Sequence, residues 1–214
     1  MKKLAFILLM VSYLPAFTLL QQNRIPVEPS ETWLNRQHKP AELIEAIGME
    51  EGMVIADIGA GRGRLSVWFA DKVGETGKVY ANDIDKGPLE YLDERCKRNN
   101  INNIITFPGK VDNPLLPPGE VDIAIIVSAY HHFDKPVEML RNTVPCLKKE
   151  GILVVVERDP VKSGQTGRES TSPETLIRQA EEAGFIFIKV NTKLLERDNI
   201  YFFRCPVSQI AVPD

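Results

Sequence analysis

The chain has 214 residues, of which 43% are hydrophobic and 26% charged, long enough for one well-cored domain plus a tail. Its net charge of −3 leaves no basic footprint of the kind nucleic acid requires. Three scattered cysteines, Cys96, Cys146 and Cys205, make neither a C-x-x-C metal pair nor an even-numbered disulfide framework, so no metal is expected and the thiols read as filler.

Met1-Lys2-Lys3 precedes the uncharged apolar run Leu4 to Leu20. A basic start followed by such a run reads as a signal peptide or N-terminal membrane anchor over residues 1–20. It is short for a spanning helix and Pro15 would kink it. The two lysines predict a body that is exported (periplasmic) or anchored at the membrane. A start codon assigned too far upstream would instead leave the protein cytoplasmic. Residues 21–30 are polar with two prolines and read as a linker. The folded domain is then expected over 31–214. Trp33, Leu34, Leu43, Ile44 and Ile47 predict one or two short helices stopped by Gly48. Trp33, Arg36 and His38 on these helices are candidates for a ligand-facing surface, with simple packing the favoured reading for Trp33.

The central stretch is Val54-Ile-Ala-Asp-Ile-Gly-Ala-Gly-Arg-Gly-Arg-Leu65. It reads as a strand, a tight turn and a helix start, with Leu65, Trp68 and Phe69 at helical spacing. Gly59, Gly61 and Gly63 admit backbone angles closed to other residues and let a ligand lie on the main chain. Amide groups at the helix start are expected to point into the turn. The dinucleotide fingerprint is G-x-G-x-x-G. Here the spacing is G-x-G-x-G, with Arg64 in the third glycine's place, and Asp57 just before the turn suits a cation better than a pyrophosphate.

Gly77 to Asp83 forms a second predicted strand ending in an acid, Asp83, placed to accept hydrogen bonds from two ribose hydroxyls, with Asp85 the near alternative. Asp85 reads as the cap of the next helix, with Pro88 near its start. Leu89, Leu92 and Cys96 mark that helix's buried face, and Arg95, Lys97 and Arg98 read as its solvated last turn. Ile104 to Phe107 is a short third strand, followed by a proline-rich irregular segment to Gly119. Val121 to Ser128 is a continuous apolar run, as in the buried centre of a parallel sheet. It leads into Ser128-Ala-Tyr-His-His-Phe133 at the ligand edge. Tyr130, His131 and His132 are each able to steer or deprotonate an acceptor there. Asp134 then reads as the cap of a helix through Val137, Leu140 and Val144. Gly151 to Glu157 is another buried strand, its terminal Glu157 facing either substrate or a neighbouring cation. Pro160 to Ser170 has the composition of a mobile loop. Ser172-Pro173-Glu174 opens a further helix with the stripe Leu176, Ile177, Ala180 and Ala183, and two final strands, Phe185 to Val190 and Ile200 to Phe203, form an antiparallel hairpin.

Asp-Ile-Gly-Ala-Gly-Arg-Gly at residues 57–63 resembles motif I of the class I S-adenosylmethionine-dependent methyltransferases, and the likeness extends over about residues 31 to 205. It implies an α/β, doubly wound, mostly parallel seven-stranded sheet of Rossmann-like type with a C-terminal antiparallel hairpin. It also implies transfer of a methyl group from S-adenosyl-L-methionine to a small-molecule acceptor, as in ubiquinone/menaquinone methyltransferases. On that likeness Asp57, Gly59, Ala60, Gly61 and Gly63 hold the cofactor's amino-acid part, Asp83 and Ile84 its ribose region, and Ser128 flanks the methionine. Related enzymes often hold adenine with a Gly-Asp pair. Lys110 stands in that acid's place here, which leaves adenine to the backbone near Val111 and to Asp112. Two other readings stand beside it, an inactive methyltransferase-like binding protein and an NAD-dependent oxidoreductase. Glycine spacing and Asp57 speak against the latter.

Overall fold

The computed structural model describes residues 25–164 and 169–205. The proposed signal or anchor segment therefore lies outside the described residues. Among the described residues no helix is long and apolar enough to cross a membrane.

In chain order the elements are α1 (Thr32–His38), α2 (Pro40–Ile47), β1 (Val54–Ile58), α3 (Ser66–Val73), β2 (Lys78–Asp83), α4 (Lys86–Asn99), β3 (Ile104–Pro108) and β4 (Val121–Val127). They continue with α5 (Pro136–Thr143), β5 (Leu147–Arg158), α6 (Pro160–Ser163), α7 (Pro173–Glu182), β6 (Ile186–Asn191) and β7 (Asp198–Arg204). The seven strands form one sheet in the order β3-β2-β1-β4-β5-β7-β6. Pairing is parallel from β3 to β5 and antiparallel where β7 joins β5 and β6. This is the expected doubly wound sheet with its terminal hairpin.

Strand alternation sorts the core into two layers. One holds Ala56, Ile58, Ala124, Ile126, Leu153, Val155, Tyr201 and Phe203 against Met139 and Leu140 of α5 and Leu176 and Ala180 of α7. The other holds Ile55, Ile123, Ile125, Val154, Val156, Ile200 and Phe202 against Leu43 and Ile44 of α2 and Phe69 of α3. The apolar runs at 54–58 and 121–127 are continuous because each feeds both layers. All three cysteines are buried free thiols.

Several local expectations are corrected. Residues 25–30 do not behave as a bare linker: Pro29–Glu31 is a turn of 3-10 helix, Glu31 is buried, and Tyr91 Oη donates to Glu28. Arg95 is not solvated; it is 1% exposed and grips the Glu31 carboxylate through Nη1 at 2.7 Å and Nη2 at 2.9 Å. Its position on the inner face of α4 buries it whatever its charge, so a buried acid had to be supplied. Trp33 is 56% exposed rather than packed. Lys135, not Asp134, occupies the position before α5. Asp159 caps the short α6 at the start of the segment read as a loop, while residues 165–168 lie outside the described set. Asp85 does cap α4 through Gly87 N, and Ser172 caps α7 through Thr175 N.

Candidate active site

Strand order reverses direction of growth between β1 and β4, and their carboxyl ends open a crevice there. A cleft of about 290 Å³ occupies it. Of the residues singled out from sequence, Gly59, Asp83, Ile84, Val111, Ser128 and His132 line it. Sequence reasoning did not select Ile58, Asn82, Ala129, Phe133, Asp134 or Met139, which complete the wall. Phe133 adjoins the histidine pair and Ala129 and Asp134 lie two residues from it, so position after β4 was the available signal. Ala60, Gly61, Gly63, Asp57, Asp112, Tyr130 and His131 are not on that wall.

The glycine turn is built as its positive φ angles require: 81° at Gly59, 55° at Gly61 and 75° at Gly63. A Cβ on Gly59 would sit 2.5 Å from the Ala129 Cβ, and one on Gly63 would meet Leu92 Cδ1 at 2.2 Å. Gly61 has open space on that side. The amides do not point outward unpaired. Gly59 N and Ala60 N donate to Asn82 O at 2.8 and 2.9 Å, Gly61 N to Asp83 Oδ2 at 2.8 Å, and Gly63 N to Ala60 O at 3.0 Å. The turn is thus sewn to the end of β2 before any ligand arrives, which is preorganisation rather than a ready set of anion donors.

Asp83 Oδ1 also accepts from Asp85 N at 3.0 Å. A carboxylate has about four lone-pair sites, so capacity remains toward the cleft. Asn82, buried beneath it, donates to Phe107 O and Pro114 O, both at 2.8 Å. That amide ties the irregular 109–119 segment to β2 and so places Val111, which with Ile84 presents exposed apolar surface, 43% and 58% respectively. Asp112 instead pairs with Lys135 at 3.3 Å, and its carbonyl accepts from Asn142.

Asp57 lies below the turn, 3% exposed, its Oδ2 accepting from Ser66 Oγ at 2.6 Å. Burial raises its pKa to about 6, opposed by the Ser66 hydrogen bond and by Arg64.

Ser128 ends β4 with φ at 52°, a left-handed angle uncommon outside glycine and often found at ligand sites. The twist brings Ser128 Oγ within 3.2 Å of His38 Nε2. Arg64 Nη2 lies 2.7 Å from His38 Nδ1, and Arg64 Nη1 donates to Asn35 at 2.8 Å. Burial, with Arg64 and Arg158 nearby, lowers the His38 pKa to about 3, so the ring is neutral. A guanidinium only donates, so Nδ1 accepts and Nε2 carries the hydrogen toward Ser128. The α1 helix is therefore latched to both the glycine turn and the end of β4, and His38 serves that latch.

The three aromatic candidates after β4 separate. Tyr130 is 2% exposed, donates to Gln179 at 2.9 Å, and burial drives its pKa upward. Its hydroxyl holds α7 and does not reach the cleft. His131 Nδ1 lies 2.7 Å from Glu157 Oε1, a carboxylate with no exposed surface. This histidine is the side-chain partner of Glu157, in place of the Arg158 or lysine weighed from sequence. His132 packs against His131 with ring centroids 4.1 Å apart and planes tilted by 55°, and alone of the three lines the cleft. Among the described residues, no group of three or more His, Cys, Asp or Glu is arranged to hold a metal.

A seven-stranded α/β sheet with a glycine turn, a β2 carboxylate and a cleft at the switch point places this chain among the doubly wound α/β proteins. Residues 55–151 match the family described as a methyltransferase domain. The chain is 28% identical over 115 residues to the ubiquinone/menaquinone biosynthesis C-methyltransferase of Escherichia fergusonii, a match covering 53% of this chain and 46% of that protein. The chain thus spans about half the length of the curated relatives it matches first. Among solved structures it is similar to a SAM-dependent methyltransferase from Aquifex aeolicus, with a TM-score of 0.76 and 21% identity over 84% of this chain and 94% of that one. It is also similar to geranyl diphosphate C-methyltransferase from Streptomyces coelicolor, crystallised with S-adenosyl-L-homocysteine, with a TM-score of 0.66 and 12% identity over 83% of each chain. The likeness to a methyltransferase domain thus rests on residues 55–151, and the solved structures share the fold.

Proposed function

We propose that this protein transfers a methyl group from S-adenosyl-L-methionine to a small-molecule acceptor. The observation that carries the reading is the Asp83 carboxylate, clamped by Gly61 N and Asp85 N beside the glycine turn with lone pairs left for a ribose diol. The wall also fits the rest of such a nucleoside. Ile84 and Val111 offer apolar faces to a purine, and Gly59 with Ser128 lies where the methionine part would run. Asp57 would act from beneath, by holding the turn, and Asp112 through backbone near Val111 rather than its ion-paired side chain.

Bound S-adenosylmethionine supplies an already activated sulfonium methyl. The chain's own work is then to position and orient, which accounts for the absence of a compact triad among the described residues. His132 at the rim, backed by the His131–Glu157 pair, is placed to steer an acceptor.

Isothermal titration with S-adenosylhomocysteine, S-adenosylmethionine and NADH tests this reading. Micromolar affinity for the first two and none for NADH is expected. Tight NADH binding without S-adenosylhomocysteine binding would overturn it. Binding of both sulfur ligands with no transfer across an acceptor screen would favour the inactive binding protein. Fractionation of cells with N-terminal sequencing tests whether residues 1–20 direct export or anchoring.

A further inference from the structure

Antiparallel pairing sets Glu157 opposite Asn199 and Arg158 opposite Asp198. Opposite residues share a face, with Cβ atoms about 4.5–5.5 Å apart. Glu157 and Asn199 therefore continue the layer of Val155 and Tyr201 that packs under α7, whereas Arg158 and Asp198 continue the opposite layer beside His38.

Glu157 is 0% exposed and Asn199 2%. Glu157 Oε1 is engaged by His131, and Asn199 Nδ2 donates to Asp159 at 2.6 Å and Tyr201 Oη at 3.3 Å. Glu157 Oε2 and Asn199 Oδ1 have no partner among the described residues. Two buried, neighbouring acceptors of this kind are rare in native proteins and point to a donor that completes them. Unpartnered buried donors near this edge, Arg158 Nε and Asn35 Nδ2, belong to the other face. A group that completes both acceptors must donate at least twice, as a water or an ammonium can. An ammonium has three donors and no acceptor, whereas a hydroxyl donates once.

His131 adds the third part. Its Nδ1 faces the acceptor-only Glu157 carboxylate at 2.7 Å, which leaves Nε2 as the ring nitrogen through which a proton can be exchanged. The ring also packs against His132 on the cofactor cleft.

We propose that Glu157, Asn199 and His131 form the acceptor subsite and that the acceptor is a primary amine; this rests on the methyltransferase reading above. The amine enters as an ammonium, with N–H bonds to Glu157 Oε2 and Asn199 Oδ1. One proton passes to His131 Nε2, freeing the nitrogen lone pair. That pair forms the new N–C bond as the C–S bond breaks and its electrons return to sulfur, giving S-adenosylhomocysteine and a methylated ammonium. His131 then releases its proton to water.

The chain has three histidines, so ring ¹⁵N spectra of histidine-labelled protein are simple to assign with single variants. In protein saturated with S-adenosylhomocysteine, His131 is expected as the Nδ1–H tautomer. Its ring signals should move saturably with methylammonium chloride and not with tetramethylammonium chloride, which carries the same charge without N–H, nor with methanol. Glu157→Gln should weaken the methylammonium response at least about tenfold, and Asn199→Leu likewise in folded protein. No saturable shift up to about 100 mM, an equal response to tetramethylammonium or methanol, or an unchanged Glu157→Gln variant would each overturn the proposal. S-adenosylhomocysteine affinity is measured on the same samples. If it is absent, the cofactor reading fails, and the methylammonium titration on the protein alone still decides the amine recess.

Discussion

Removing the acid from the Glu31–Arg95 pair gives the sharpest test of how the site is assembled. Arg95 is 1% exposed, and its guanidinium spans Glu31, Pro26 O at 2.6 Å and Arg62 O at 3.3 Å. It thereby ties residues 26–31, α4 and the glycine turn into one unit. Glu31→Gln leaves a buried cation without its counter-charge, a change worth about 3–5 kcal/mol. That is a large fraction of the roughly 5–15 kcal/mol that holds a domain together. Urea denaturation followed by circular dichroism should show the midpoint falling with the slope nearly unchanged. The double variant Glu31→Leu/Arg95→Met removes both charges together. It should recover most of the loss, ending within about 2 kcal/mol of the parent, because what is then left unpaired is neutral: the partly buried carbonyls of Pro26 and Arg62 and the Glu28 N–H that bonded Glu31 Oε2. A Glu31→Gln variant within about 1 kcal/mol of the parent would refute the reasoning, since the charge would then be hydrated despite its burial.

Asp83→Ala should weaken S-adenosylhomocysteine binding by about 1–3 kcal/mol, read by titration calorimetry, with some loss of stability from the orphaned Gly61 N–H. Unchanged affinity in a folded variant would remove Asp83 from the site. Gly63→Ala meets Leu92 at 2.2 Å and strains a φ of 75°, so a destabilisation of about 2–4 kcal/mol is expected by denaturant titration. Adding Leu92→Ala should relieve only the steric part. The pH dependence has two opposed sources. His38, neutral when folded, contributes stability that is full above its ordinary 6.5 and lost as pH falls toward about 3, at up to about 1.4 kcal/mol per pH unit. Asp57, whose carboxyl is raised to about 6, acts in reverse: the folded state holds the extra proton, so its contribution grows as pH falls from about 6 to its ordinary 3.8. The two offset between about pH 6 and 4. Asp57→Asn should therefore steepen acid destabilisation in that window, and His38→Gln should flatten it below. A variant pair with identical pH–stability curves would contradict both assignments.

The sequence by itself determined what is local and periodic. Continuous apolar runs at 54–58, 121–127 and 151–157 specify buried strands, because such runs have no polar face to expose. Three alternate glycines specify the turn, since their φ angles exclude side chains. Ser172 and Asp85 were legible as caps because a cap reaches only two or three residues along the chain. Tertiary structure decided what joins residues far apart. Whether Arg95 is solvated depends on Glu31, 64 positions away, and Glu157 meets His131 across 26. His38 was one option among three near α1 until the left-handed Ser128 turned a hydroxyl toward it. Tyr130, His131 and His132 are consecutive and chemically alike in sequence. Only the 3-10 turn that carries them sends the first to α7, the second to Glu157 and the third to the cleft. Periodicity reports which face of an element is apolar; the partner of a buried polar group is set by chain crossings that no local pattern encodes.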